Sequence, residues 1–291
     1  METRILEGKA IASGIRQGVA RRVAALNRSV SLAIVLAGDD PASRLYSESI
    51  GRAAAKVGIN AELIELTAGT GAEGVGRTLR DLGDDPSVSG ILVQRPLPAG
   101  MPGSVIEEIA PSKDVDCATS RSLGLLMTGG GLFAPCTALG VLEILSGHGI
   151  SVSGAEIVIV GRSTVVGKPL ACLLMAKSPQ GNATVTVCHT GTRDLAAHTR
   201  RADIVVAAMG SPEALRADMI SEGAVVVDVG INSVDDPASD RGRRLVGDVA
   251  FEEMLGRASA VTPVPGGVGT LTTSILLRSA VVAAESSANA D

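Results

Sequence analysis

Residues 155–174 read AEIVIVGRSTVVGKPLACLL. Ile157 to Val160 form a short, β-branched apolar run that stops at Gly161, the pattern of a strand buried on both faces. After a brief loop, Gly167 and Pro169 open a stretch with helical spacing. A strand running into a helix start is the βα unit of a parallel sheet, and the free N–H groups of the first helical turn can hold a pyrophosphate. The spacing is not G-x-G-x-x-G, because Ser163 stands where the second Gly would be. On these residues alone, dinucleotide binding and an ordinary strand–helix turn both remain open.

The same pattern extends in both directions. Downstream, ATVTVCH (183–189), DIVVAAMG (203–210) and AVVVDVG (224–230) read as further buried strands separated by helices. Together with 155–161 they predict a doubly wound, Rossmann-like unit. ASDRGRRL (238–245) reads as a solvated loop, and an apolar helix follows the Gly-rich turn PGGVG (265–269). Upstream, a helical stretch (9–26) precedes strands at 31–38, 60–66 and 89–98, with helices from 41 to about 56 and over 72–82. This β-α-β-α-β order predicts a second parallel sheet. Residues 111–135, which include DVDCATSRSLGLLMTGGGLFAP, read as a long irregular loop. The expected fold is therefore α/β with two domains, 1–137 and 138–269, and a last helix, 270–291, packing back on the first.

Composition narrows the function. Apolar residues make up 45% of the 291, yet there is one Tyr, two Phe and no Trp. Without aromatic platforms, single-stranded nucleic acid is a poor ligand. A net charge of −5 with no long basic run argues against duplex binding. Cys117, Cys136, Cys172 and Cys188 show no CxxC pair, and His148, His189 and His198 no HExxH spacing, so no metal site is expected. The start has no apolar leader and no apolar stretch of ~18 residues occurs, so a cytoplasmic protein is expected, without a membrane partner.

Arg162 and Thr190 bear on the choice of cofactor. Each follows a strand end directly, and no acidic residue stands there to hold a ribose 2′-hydroxyl. A guanidinium and a hydroxyl suit a 2′-phosphate, which favours NADP over NAD. Arg162 could otherwise be a solvated surface charge.

Nine segments now stand in an order that resembles the bifunctional methylenetetrahydrofolate dehydrogenase/cyclohydrolase family: DDPASRLY (39–46), GILVQRPLP (90–98), KDVD (113–116), APCT (134–137), VGRSTVVGKP (160–169), VTVCHTGT (185–192), DVGIN (228–232), GDV (247–249) and TPVPGGVG (262–269). The resemblance spans nearly the whole chain. It implies folate chemistry on the N-terminal domain, NADP on the second, both ligands in the cleft between them, and a homodimer joined through the nucleotide domain. It places Tyr46, Gln94 and Asp116 around the pterin and the reacting one-carbon unit as the catalytic set. Val93, Arg95, Ile50 and the turn Pro265, Gly266, Gly267, Val268 and Gly269 fall at substrate-binding positions. Gly161, Arg162, Ser163, Thr190 and Ile231 fall at NADP-contacting positions. Without the resemblance, Tyr46 could be a packing residue, Asp116 a loop cap and Gln94 a solvent contact.

The chain departs from the family on the folate side. After DPAS the family has Tyr-Val-x-x-Lys-x-Lys; here Tyr46-Ser47-Glu48-Ser49-Ile50-Gly51-Arg52 puts Ile50 at the catalytic Lys position. At ~100° per residue, Arg52 lies roughly 200° and Lys56 about 120° around the helix from Ile50. Asp-Gly-Phe-His becomes Asp116-Cys117-Ala118-Thr119, a Leu becomes Arg95, and the Pro after PGGVG becomes Thr270. Hydride transfer rests on positioning, whereas hydrolysis of the methenyl product needs a proton-transferring group. The expectation is an NADP-dependent dehydrogenase whose cyclohydrolase activity is weak or lost. A paralogue dedicated to an altered folate substrate and a non-catalytic binding or regulatory homologue are the alternatives.

Overall fold

The structure, a computed structural model, describes residues 2–237 and 242–288. The chain opens with a two-residue strand, β1 (Arg4–Ile5), and a long helix, α1 (Lys9–Ala25). Strands and helices then alternate: β2 (Ser31–Ala37), α2 (Pro41–Ala55), β3 (Asn60–Leu66), α3 (Gly71–Asp84) and β4 (Gly90–Val93). The three strands form a parallel sheet in the order β3-β2-β4. The central strand, SLAIVLA, is buried along almost its whole length, as a strand covered on both faces must be. Val35, Ile91 and Val93 pack there with Val75 and Leu79 of α3 and with Ile106 and Ile109. β4 ends at Val93, short of the run expected from sequence; Pro96 and Pro98 lack the N–H groups that a longer ladder needs.

Residues 111–135 are not one loop, because they contain a helix, α4 (Ser120–Thr128). Thr119 caps its start by accepting from the Ser122 N–H, and Gly129 ends it in the left-handed conformation, at φ 77°.

After α4 come α5 (Cys136–Gly147), β5 (Glu156–Val160), α6 (Gly167–Met175), β6 (Thr184–Cys188), α7 (Leu195–Thr199), β7 (Ile204–Ala207) and β8 (Val225–Asp228). The described chain finishes with β9 (Asn232–Asp235), β10 (Arg243–Val246), α8 (Phe251–Met254), β11 (Ala260–Val261) and α9 (Thr272–Ala288). Six strands make a wholly parallel sheet, β1-β11-β8-β7-β5-β6. Val158, Val205, Val226 and Val261 of this sheet share a core with Leu215, Ile220 and Met254. β9 and β10 pair antiparallel. The stretch 238–245 is thus not all loop: residues 238–241 lie outside the described ones, and Arg243–Val246 is a strand. Its polar residues hid it, since pairing with β9 and the Arg243–Asp235 ion pair (3.2 Å), not an apolar face, define it.

The chain divides into two compact units, residues 1–12 with 137–272, and 13–136 with 273–291. Residues 4–6, expected with the N-terminal domain, join the larger sheet instead: β1 pairs with β11, and the Leu6 N–H donates to the Val261 carbonyl at 2.8 Å. α9 bonds to α1 through Arg22 and Glu285 and through Arg16 and Ser274.

Candidate active site

In the larger unit, β5 has β6 on one side and β7 on the other, so the chain reverses its winding beside β5. In such sheets ligands bind at the carboxyl ends of the strands next to that reversal. Gly161 leaves β5 with φ 140° and sits so close to β7 that a Cβ would lie 2.1 Å from the Ala208 carbonyl oxygen. A Cβ on Gly167 would lie 2.0 Å from the Gly161 carbonyl oxygen. The loop between them is therefore closed on itself and admits no side chain at either end. The Ser163 hydroxyl accepts from the Val166 N–H at 3.0 Å, and the Ser163 carbonyl accepts from the Lys168 N–H at 3.0 Å, which seats the start of α6. Arg162 and Thr190 are exposed beyond the ends of β5 and β6. Among the described residues Arg162 has no ion-pair partner, so its guanidinium is available to a phosphate. These features fit a dinucleotide.

Two buried aspartates that sequence reasoning missed hold the neighbouring loops. Asp248 accepts from the N–H groups of Met209, Gly210 and Ser211 at 2.6–2.9 Å and from the Asn232 side chain at 2.9 Å. Asp228 accepts from the N–H groups of Gly230, Asp248 and Val249, each at 2.9 Å. Burial pushes the Asp228 carboxyl up to about 6, against the pull of those three donors. The signal was present in DVGIN and GDV, since each Asp follows or precedes a glycine-rich turn that needs an acceptor. Gly247 has to be glycine because a Cβ there would lie 1.8 Å from the Asp228 carboxylate. Ile231 is 62% exposed and, with Pro265, Gly266, Gly267, Val268 and Gly269, lines a cavity of about 240 Å³. The structure thus brings Ile231 and the PGGVG turn together.

In the smaller unit the Asp40 side chain caps α2, accepting from the Ser43 N–H at 2.8 Å and the Ser43 hydroxyl at 2.6 Å. The Ser43 hydroxyl also reaches the Arg95 carbonyl at 3.2 Å, tying the start of α2 to the exit of β4. The buried face of α2 is Ser43, Ser47, Ile50 and Ala54. Ile50 has no exposed surface, whereas Tyr46, one turn before it, is 45% exposed. Arg52 pairs with Glu48 on the solvent side, at 3.6 Å.

Val93 and Gln94 are buried at the end of β4, and the Gln94 Nε2 has no hydrogen-bond partner. An orphaned donor of this kind is costly unless a ligand accepts from it. A bridge between Ile91 and Asp114 lays residues 113–116 beside β4, pointing the same way. The loop cap is Asp114, not Asp116: Asp114 accepts from the N–H groups of Ala118 and Thr119 and from the Thr119 hydroxyl, at 2.8–2.9 Å. Asp116 accepts from the Cys136 N–H at 3.1 Å, and burial raises its pKa. Cys117 is buried at φ 51°, a conformation that favours glycine. Among the described residues, no group of three or more His, Cys, Asp or Glu side chains could hold a metal ion, and no helix is long and apolar enough to cross a membrane.

Two family models match. That for the tetrahydrofolate dehydrogenase/cyclohydrolase catalytic domain covers residues 6–116, and that for the NAD(P)-binding domain of the same family covers 135–288. The chain belongs to the tetrahydrofolate dehydrogenase/cyclohydrolase family. It is 48% identical to the bifunctional protein FolD of Salinibacter ruber over 96% of this chain and 95% of that one. It is 46% identical to the FolD of Bordetella avium, over 98% of each. Among solved structures, the bifunctional FolD of Campylobacter jejuni superposes with a TM-score of 0.90 at 39% identity, covering 98% of this chain and 99% of that one. The Trypanosoma brucei methylenetetrahydrofolate dehydrogenase-cyclohydrolase, solved with NADP and an inhibitor, gives 0.91 at 35% identity over 99% of each. The two-domain α/β architecture, with a Rossmann-like parallel sheet, is that of the FolD family. Residues 117–134, with Cys117 to Thr119 and all of α4, fall outside both model matches.

Proposed function

We propose that this FolD-family protein oxidises 5,10-methylenetetrahydrofolate with NADP and hydrolyses the methenyl product slowly or not at all. Folate chemistry is assigned to the unit of residues 13–136 and 273–291, and the nucleotide to residues 137–272, with the PGGVG turn serving the folate. Gly161, Arg162, Ser163, Thr190 and Ile231 would hold NADP, the guanidinium and the hydroxyl taking the 2′-phosphate. NADP, when bound, supplies an acceptor for the hydride that leaves the methylene carbon. Tyr46 stacks on the aromatic part of the folate, Asp116 accepts from the pterin N–H groups, and the orphaned Gln94 Nε2 donates to the folate. These contacts position the carbon, which is what hydride transfer requires.

The observation that carries the second half is Ile50. At the family's Lys position stands a side chain without exposed surface or a titratable group. Loss of a general acid–base costs about 10²–10⁴-fold. The protein given methylenetetrahydrofolate and NADP should accumulate the methenyl compound, read by its absorbance. Started from the methenyl compound, it should hydrolyse little above the buffer rate. Hydrolysis keeping pace with dehydrogenation would overturn this reading. Absence of both activities would favour an altered folate substrate, for which Arg95 and Cys117–Thr119 speak, or a non-catalytic homologue. On resemblance alone we read the protein as a cytoplasmic homodimer, which sedimentation would check.

A further inference from the structure

We infer that the His189 imidazole is a positioning residue of the cofactor site, shaping the turn that presents Thr190 to the 2′-phosphate of NADP. The inference rests on the cofactor reading above and adds a residue to it. β5 and β6 pair as far as Val160 and Cys188, and the Gly161 N–H donates to the Cys188 carbonyl at 2.8 Å. Gly161-Arg162 and His189-Thr190 therefore leave the sheet side by side, with Arg162 and Thr190 both exposed. At the exit of β6 the chain turns at once over His189-Thr190-Gly191-Thr192. Two bonds close the ends of this turn. The Thr192 N–H donates to the His189 carbonyl at 2.8 Å, and the His189 N–H donates to the Thr192 hydroxyl at 2.8 Å.

The middle of the turn is held by the imidazole. His189 Nδ1 accepts from the Gly191 N–H at 3.1 Å, so the ring carries its proton on Nε2. A Cβ added to Gly191 would lie 3.2 Å from the ring's Cε1 and 3.3 Å from its Nδ1, so the imidazole packs directly against the Gly191 backbone. A side-chain acceptor taking the N–H two residues on is the bond that Asn and Asp make in turns, and here an imidazole makes it. It fixes the peptide between Thr190 and Gly191, and with it the bearing of the Thr190 side chain. Without the ring the two end bonds would still close the turn, while Thr190 and Gly191 could rotate between them. A hydroxyl already aimed at a phosphate oxygen loses less freedom when it binds one. NAD has no 2′-phosphate, so the same aim is worth little to it. The imidazole should therefore act on the choice between the two cofactors.

The test is calorimetric titration with NADP and with NAD, without folate and at one pH. The proteins compared are the native chain, His189→Ala, His189→Leu, His189→Asn and His189→Asp. His189→Ala and His189→Leu should bind NADP about 5–10-fold more weakly, with NAD affinity held within about twofold. Each serves as the alternate should the other fail to fold. His189→Asn keeps an acceptor on Cγ in the place of Nδ1 and should restore NADP affinity to within about twofold of the native chain. His189→Asp keeps that acceptor but sets a negative charge beside the phosphate, and should fall about 3–10-fold below the Asn variant for NADP while NAD changes less. Equal losses of NADP and NAD in the Ala and Leu variants, as a purely structural turn would give, would overturn the role of His189. So would an Asn variant that binds NADP no better than Ala. A native chain that binds NAD as tightly as NADP would instead sink the cofactor reading on which the role stands.

Discussion

Gly161 and Gly167 in one unit, and Tyr46, Gln94 and Asp116 in the other, stand near the carboxyl ends of parallel strands, yet they are made of different material. The nucleotide loop is written in the backbone. A Cβ at either glycine would meet a carbonyl oxygen at 2.0–2.1 Å, and Asp248 holds the adjoining loop by its N–H groups. The proposed folate side is written largely in side chains that project from a helix, a strand end and a loop; of these Asp116 holds the Cys136 N–H, while the Gln94 Nε2 holds no partner. Ile50, Arg95 and Cys117 all fall on that side. A site built from backbone resists drift because almost any change breaks the loop. A site built from side chains can be altered one contact at a time while the fold stands.

The contrast can be broken most directly at Gly161. Gly161→Ala should abolish detectable NADP binding by fluorescence titration and lower unfolding stability by about 3 kcal/mol or more, since φ 140° and the Ala208 carbonyl both exclude a methyl group. A variant that binds NADP normally would show that the loop tolerates side chains and that the contrast is false. Arg162→Ala is the intermediate case, a side chain within the backbone-built site. It should cost about 10–100-fold in NADP affinity while leaving NAD affinity nearly unchanged. Equal losses for both cofactors would remove Arg162 from the 2′-phosphate. The smallest effect is expected at Gly51, inside α2, where an added Cβ meets nothing within 4 Å. Gly51→Ala should raise stability by about 0.5–1 kcal/mol in urea unfolding. Destabilisation there would mean that the smaller unit also depends on its glycines.

Much of the molecule was legible because its strands are uniform. SLAIVLA and AEIVIVG announce burial on both faces, and a parallel sheet is the one setting that asks for it. What escaped was short or polar. α4 hid behind SRSLGLLMTGGG, whose triple glycine suggests a loop; its capping Thr119 and terminal Gly129 were the available clue. β1 and β11, two residues each, carry no periodicity at all and exist through long-range pairing. Asp228 and Asp248 act through the backbone groups they collect, which depends on loops meeting in space. The candidate site was legible as motifs in order. That Asp114 rather than Asp116 caps its loop became visible only from hydrogen bonds.

The pairing of β1 with β11 also bears on how the protein is made. Arg4 and Ile5 are made more than two hundred residues before Ala260 and Val261, their partners. Meanwhile α9 supplies Glu285 to Arg22 of α1, 263 residues earlier in the chain. Neither unit is one continuous stretch of chain, and each is closed by a segment distant in sequence. Long-range closure of this kind slows folding and leaves an unpaired edge exposed until the later segment is made. A nascent chain stalled before residue 260 would hold the three-stranded sheet complete but the six-stranded one without β11, leaving β8 uncovered on that side.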